Sequence, residues 1–209
     1  MSGNLTAVAD HPADRRAQTT VPLHPPIADR WSPRAFDADA VLATEDLTAL
    51  LEAARWAATW GGRQPVRFVV GQRGDATFET LAGLLARGNA YAAAAGALIL
   101  VCADEGEDEA TALYCVFDAG AATANLAVEA VARGLVTHPM AGFDAEGARA
   151  AFAIPAGVRP LAMVAVGSLA DPGTVDPRFA ERDTRPRTRL PLDEVAFAGT
   201  WGRAWRQPG

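Results

Sequence analysis

Two short stretches of the chain concentrate groups that bind anions. Arg30-Trp31-Ser32-Pro33-Arg34 places two guanidiniums and a hydroxyl just ahead of the first strongly periodic segment. Arg185-Pro186-Arg187-Thr188-Arg189-Leu190-Pro191 supplies a second basic cluster with its own hydroxyl. Guanidinium forks match phosphate oxygens bidentately, and a hydroxyl adds a further donor. Either stretch alone reads as an exposed basic turn. Together, in a chain of net charge −6, they point to one anionic ligand held by both ends of the chain.

The remaining composition excludes several other chemistries. The acidic balance argues against a nucleic-acid surface, which needs a basic face. All 19 basic residues are arginine, so Schiff-base chemistry and the lysine of a phosphate-binding P-loop are ruled out. Cys102 and Cys115 lie in apolar segments and read as buried structural thiols. His11, His24 and His138 are scattered without metal-ligand spacing, so no metal site is expected. His138 reads first as a satisfied core or turn histidine and second as a proton donor. No apolar run approaches the roughly 18 residues of a membrane span, and the N-terminus lacks an apolar signal core. A cytoplasmic protein with no membrane partner is the default expectation.

The elements that must position these groups follow from periodicity. Residues 1–20 read as a flexible tail, 21–199 as a single domain and 200–209 as a second tail. Thr44-Glu45-Asp46 opens a helix expected to run to about Thr59, carrying Leu47, Leu50, Leu51 and Ala54 on one face. Gly61-Gly62 breaks it, and Pro65 prevents its resumption. Val66–Val70 predicts a strand. Gly74-Asp75 caps a second helix, with Gly88-Asn89 expected to end it. Ala97–Cys102 is a continuous apolar run, as in a strand buried on both faces. A long helix is expected over about 109–133, rich in small residues and suited to a central or subunit-interface position. A brief strand 135–138, a helix from Asp144 to about Phe152 and a buried strand 161–167 follow. Helices alternating with apolar strands predict an α/β (α+β) sandwich with a central sheet. Pattern alone leaves the strand order and direction open.

The chain lacks G-x-G-x-x-G after a strand, the G-x-x-x-x-G-K-[ST] loop and G-x-S-x-G, which disfavours a standard dinucleotide fold, a P-loop NTPase and an α/β-hydrolase. What remains is a series of motifs in order: Arg30–Arg34, then Thr59-Trp60-Gly61-Gly62-Arg63-Gln64-Pro65 entering a strand, Gly88-Asn89, His138-Pro139-Met140-Ala141-Gly142-Phe143-Asp144, and Arg187-Thr188-Arg189-Leu190-Pro191. This order and spacing, over roughly residues 27–195, resembles the FMN-dependent nitroreductase family.

The resemblance implies roles for particular residues. Arg30 and Ser32 would bind the FMN phosphate together with Arg187 and Arg189, with Trp31 between them. Arg34 matches the basic position at the pyrimidine end (N1/O2) of the isoalloxazine, where a cation stabilises the anion of reduced flavin. Gln64 and Asn89 match polar positions reaching the ring and ribityl chain. Pro139, Met140, Ala141 and Gly142 match the loop along the flavin, whose backbone N–H near Ala141–Gly142 approaches N5. A homodimer sharing its flavin sites, with the long helix at its core, is implied in the same way. The expected reaction passes a hydride from NAD(P)H through flavin N5 to a small acceptor such as a nitroaromatic or quinone, with no protein general acid named. The alternatives are a flavin-dependent dehydrogenase or oxidase of a specialised metabolite, and a non-catalytic binding protein with weak or no flavin. The family's helix-break loop usually reads Pro-Ser-x-x-Asn-x-Gln-Pro-Trp. Here Ala58, Thr59, Gly62 and Val66 stand for its Pro, Ser, Asn and Trp, and Ala141 stands where several members have Glu.

Overall fold

A computed structural model describes residues 15–205. The elements in order are α1 (Pro25–Asp29), α2 (Thr44–Arg55), a 3-10 turn (Trp60–Gly62), β1 (Val66–Gln72), α3 (Ala76–Gly83) and a 3-10 stretch (Arg87–Ala94). They continue with β2 (Ala97–Asp104), α4 (Glu109–Ala132), β3 (Val136–Met140), α5 (Ala145–Ala151), β4 (Val158–Gly167), α6 (Pro177–Asp183) and a 3-10 turn (Leu192–Glu194). The sheet runs β1-β2-β4-β3, and every pair is antiparallel.

The apolar run of β2 lies inside this sheet, and its alternation divides the core. Ile99, Val101 and Ala103 join a cluster with Leu47, Leu50 and Ala54 of α2 and Cys115, Ala122 and Leu126 of α4. Leu98, Leu100 and Cys102 face the other way, toward Phe78 and Leu81 of α3, Tyr91, Met140 and Met163. Burial of each such Leu or Ile side chain contributes about 1.5–3 kcal/mol. Helices on both faces of one sheet make the expected sandwich. Both cysteines are free and buried, and burial pushes the Cys102 thiol up to about 11.

Asparagine-free caps start most helices: Asp75, Asp108, Asp144 and Asp176 each accept a backbone N–H from the first turn of α3, α4, α5 and α6. By length and composition α4 could cross a membrane. Instead it packs as a core helix, with Cys115, Ala119, Ala122, Leu126 and Ala130 turned inward. Its opposite face exposes Leu113 (68%) and Phe117 (75%), with Val116, Gly120 and Ala124 beside them.

Three boundaries differ from the periodicity reading, each for a local reason. α2 stops at Arg55, because Trp56 and Ala57 tighten onto Glu52 and Ala54 carbonyls. α3 ends at Gly83, and Gly88-Asn89 belongs to the following 3-10 stretch rather than to a C-cap. Residues 84–86 are drawn off to pair with the 142–144 segment: Ala86 N–H donates to Gly142 O, and Asp144 N–H to Leu84 O. β3 continues through Pro139, tolerated because β3 is an edge strand whose outer N–H positions need no partner.

Candidate functional site

Four guanidiniums from the two ends of the described chain converge. Arg30, which caps the C-terminus of α1, donates to Ser32 Oγ at 3.3 Å. Arg187 donates to the Arg30 carbonyl at 2.9 Å and to the Arg15 carbonyl. Arg15 in turn donates to Arg185 O at 2.7 Å and stacks over the Trp31 ring at 4.7 Å. Arg15 falls in the stretch that sequence reading assigned to a tail, yet it is only 7% exposed. Among the described residues no carboxylate pairs with Arg15, Arg30, Arg187 or Arg189.

The electrostatics of the cluster follow. Burial lowers the pKa of Arg30, and Arg189 lowers it further. Burial also lowers that of Arg187, helped by Arg30, Arg189 and Arg15. Partly buried cations that depress one another are an incomplete arrangement, and a dianion would complete it. The residues therefore fit a phosphate group: two or more forks, the Ser32 hydroxyl, and no competing acid among the described residues.

Arg34 lies one turn of chain further on. Its guanidinium is 5.6 Å from the Tyr91 ring centre, and its buried Nε has no hydrogen-bond partner among the described residues. A buried unpaired donor on a cation suits an acceptor with developing negative charge.

The Ala141–Gly142 turn is held to the 84–89 segment. Asn89 Nδ2 donates to Gly142 O at 2.8 Å, so this amide is spent on fixing the turn. A Cβ at position 142 would stand 2.8 Å from that nitrogen, so a larger residue there would push the Asn89 amide off the turn. Pro139 is exposed, Met140 is buried in the core, and Ala141 is exposed at the turn.

Gln64 is apart from all of these. It precedes β1 at one edge of the sheet, whereas His138–Met140 form β3 at the other. With φ of 52° it sits in the left-handed region, beside a cavity of about 420 Å³ that Leu51, Arg55, Thr59, Arg67 and Phe68 also line. The structure thus brings Arg30, Ser32, Arg34, Asn89, Gly142 and Arg187 to one side of the chain and leaves the Gln64 loop elsewhere.

That loop is anchored by a residue the sequence reading passed over. Asp118, 2% exposed on α4, accepts the Trp60 N–H through both carboxylate oxygens at 3.2 and 3.1 Å. Trp60 stacks on Tyr114 of the same helix at 5.3 Å. A lone acid amid Ala, Val and Leu was its sequence signal.

His138 Nδ1 lies 2.7 Å from the Pro33 carbonyl, which requires Nδ1–H as donor. Its ring packs on Tyr91 at 5.2 Å. Burial lowers its pKa from 6.5; Arg34 and Arg30 add to this, while the Pro33 bond and Asp183 oppose it. Just below pH 6.5 the folded state therefore binds fewer protons than the unfolded chain, so stability rises with pH there and is lost on acidification. The depressed carboxylates Asp75 and Asp108 act only below about 3.8, far from this window. Melting temperatures at pH 7.5 and 5.5 should show a loss for the wild type that is smaller in His138→Gln. An equal loss in both would remove His138 as its source.

The model of the family described as "Nitroreductase family" matches residues 27–168. A 15.4 kDa protein in the ask 5′ region of Mycolicibacterium smegmatis is 63% identical over 145 residues, which is 66% of this chain and 98% of that protein. Among solved structures, an oxidoreductase containing FMN superposes with a TM-score of 0.81 at 34% identity, over 88% of this chain and 95% of its own. A nitroreductase from Exiguobacterium sibiricum in complex with FMN gives 0.70 at 22% identity, covering 86% and 98%. NfrA2 of B. megaterium gives 0.71 at 22% identity, covering 85% and 74%.

Proposed function

The chain belongs to the nitroreductase family, and on that premise we propose that it is an FMN-dependent oxidoreductase that takes a hydride from NAD(P)H and passes it to a small acceptor such as a nitroaromatic or quinone. The observation that carries this reading is the set of four guanidiniums with no carboxylate partner among the described residues. Bound FMN would supply the hydride acceptor and donor at N5. The chain's own residues do the rest. Arg30, Ser32, Arg187 and Arg189 hold the phosphate end, and Arg15 and Trp31 back them. Arg34 offers its unpaired donor and positive charge to the pyrimidine end, favouring the reduced anion. Asn89 fixes the Gly142 turn, so that a backbone N–H rather than a side chain is presented beside the ring.

A homodimer belongs to the same proposal. The Gln64 loop leads into β1 at one sheet edge, whereas the Pro33–Arg34 turn is held to β3 at the other, and the outer face of α4 is apolar and exposed. A second copy packed on α4 would supply its own Gln64 loop to this site. A cytoplasmic location is part of the reading as well.

The test is the visible spectrum of the purified protein before and after excess FMN and removal of what is unbound. Stoichiometric flavin absorbance, bleached anaerobically by NADH or NADPH, is the expected result. Retained flavin that neither nucleotide reduces would instead favour the dehydrogenase or oxidase alternative. No retained flavin would overturn the proposal.

A further inference from the structure

The turn that carries Arg34 is gripped from two distant parts of the chain. Pro33 O meets His138 Nδ1 of β3 at 2.7 Å. The next two amides, Arg34 N–H and Ala35 N–H, both donate to one oxygen, Oδ2 of Asp183, at 2.7 and 2.9 Å. Ala35 O accepts from Ala170 N–H at 3.1 Å. Every polar backbone group named here is fixed by an element at least a hundred positions away.

Asp183 is an unusual residue for its place. It is the last residue of α6, where a negative charge opposes the helix dipole. It is 9% exposed, and no arginine pairs with it among the described residues. A buried carboxylate with no counter-cation is costly unless its hydrogen bonds are strong. The two amides of the Arg34 turn are what it accepts. One helical turn earlier on the same face, Phe179 packs edge-on against Tyr91 at 5.6 Å, and Tyr91 is the ring under the Arg34 guanidinium. α6 thus meets the Arg34 turn directly at its backbone and, by way of Tyr91, indirectly at its side chain.

We propose that Asp183 is a positioning residue for Arg34, fixing its turn so that the guanidinium stands ready at the pyrimidine end of the flavin and so sets the flavin's redox potential. Asp183 lies beyond the matched segment 27–168, so this is a contribution of the chain's C-terminal arm. It touches neither flavin nor substrate. The inference rests on the FMN reading given above.

Two readouts test it, one of them independent of flavin. In the apo protein, Asp183→Ala should accelerate amide exchange in the peptide spanning Arg34 and Ala35 by about tenfold, the scale of losing charge-assisted hydrogen bonds. Asp183→Asn keeps an oxygen acceptor and should leave exchange near the wild-type rate. In the loaded protein, Asp183→Ala should raise the FMN dissociation constant about tenfold and make the bound flavin's midpoint potential more negative. The double variant R34A/D183A should have the potential of R34A alone, because Asp183 acts through Arg34. Should Asp183→Ala not fold, Asp183→Ser, whose short hydroxyl cannot span to both amides, carries the same readouts. Unchanged exchange, an unchanged potential, or effects that add to those of R34A would each overturn the inference. A wild-type protein that takes up no FMN would sink the functional reading itself, whatever the exchange shows.

Discussion

Arg30→Ala combined with Arg189→Ala weakens FMN binding by about a hundredfold or more, while the apo protein melts no lower than the wild type. Each charge-assisted hydrogen bond to a phosphate contributes about 1.5–3 kcal/mol, so losing two exceeds a hundredfold in affinity. The apo protein behaves differently because the same cations oppose one another: Arg189 depresses the pKa of Arg30, and both depress that of Arg187. Among the described residues the Arg30 guanidinium donates only to Ser32, and that of Arg189 only to its neighbour Thr188 O, so little native structure is lost with them. Arg187→Ala should contrast. Its guanidinium ties the Arg15 and Arg30 carbonyls together, so it should lower both affinity and apo stability. Fluorescence titration with FMN and thermal melts of apo protein read the two effects. A double variant that binds FMN within threefold of the wild type would show that these guanidiniums do not hold the phosphate.

Phe117→Glu should convert the proposed dimer to a monomer and take the flavin with it. Phe117 is 75% exposed and Leu113, one turn before it, 68%, on a helix whose other face is core. Gly120 and Ala124 continue the same face and would let a second helix approach closely. In a two-fold interface each residue acts twice, so burying Phe117 on both copies contributes about 3–6 kcal/mol. Two facing carboxylates would replace that gain with a desolvation cost. Sedimentation should show at least a hundredfold weaker self-association, and flavin content should fall in parallel, since in the proposed dimer the Gln64 loop of one copy serves the site of the other. An F117E protein that stays dimeric would place the interface elsewhere.

Much of this fold was legible. Six apolar residues in a row gave β2, and the small-residue pattern gave α4 to within a residue of its end. The basic motifs named Arg30, Ser32 and Arg187, which do come together. The antiparallel order was not legible, because a strand buried on both faces reads the same in either direction. Nor was the role of Gly88-Asn89, decided by a segment more than fifty residues away. Asp183 had no local signal at all: its partners lie 149 and 148 positions upstream. Arg15 was hidden for the same reason, since only folding puts it against Trp31 and Arg185.

The joining of the two ends has a consequence for the newly made protein. The hydrogen bonds of Arg15 and Arg187 span 170 and 172 positions, so the proposed phosphate clamp can assemble only when residues 185–189 have been synthesised and have folded back on Arg15 and Arg30. A chain cut short before Arg187 would contain β2 and α4 but only half of the proposed clamp. On the FMN reading, colour in a preparation would therefore count chains that have been made past Arg189 and have also folded back on Arg15 and Arg30.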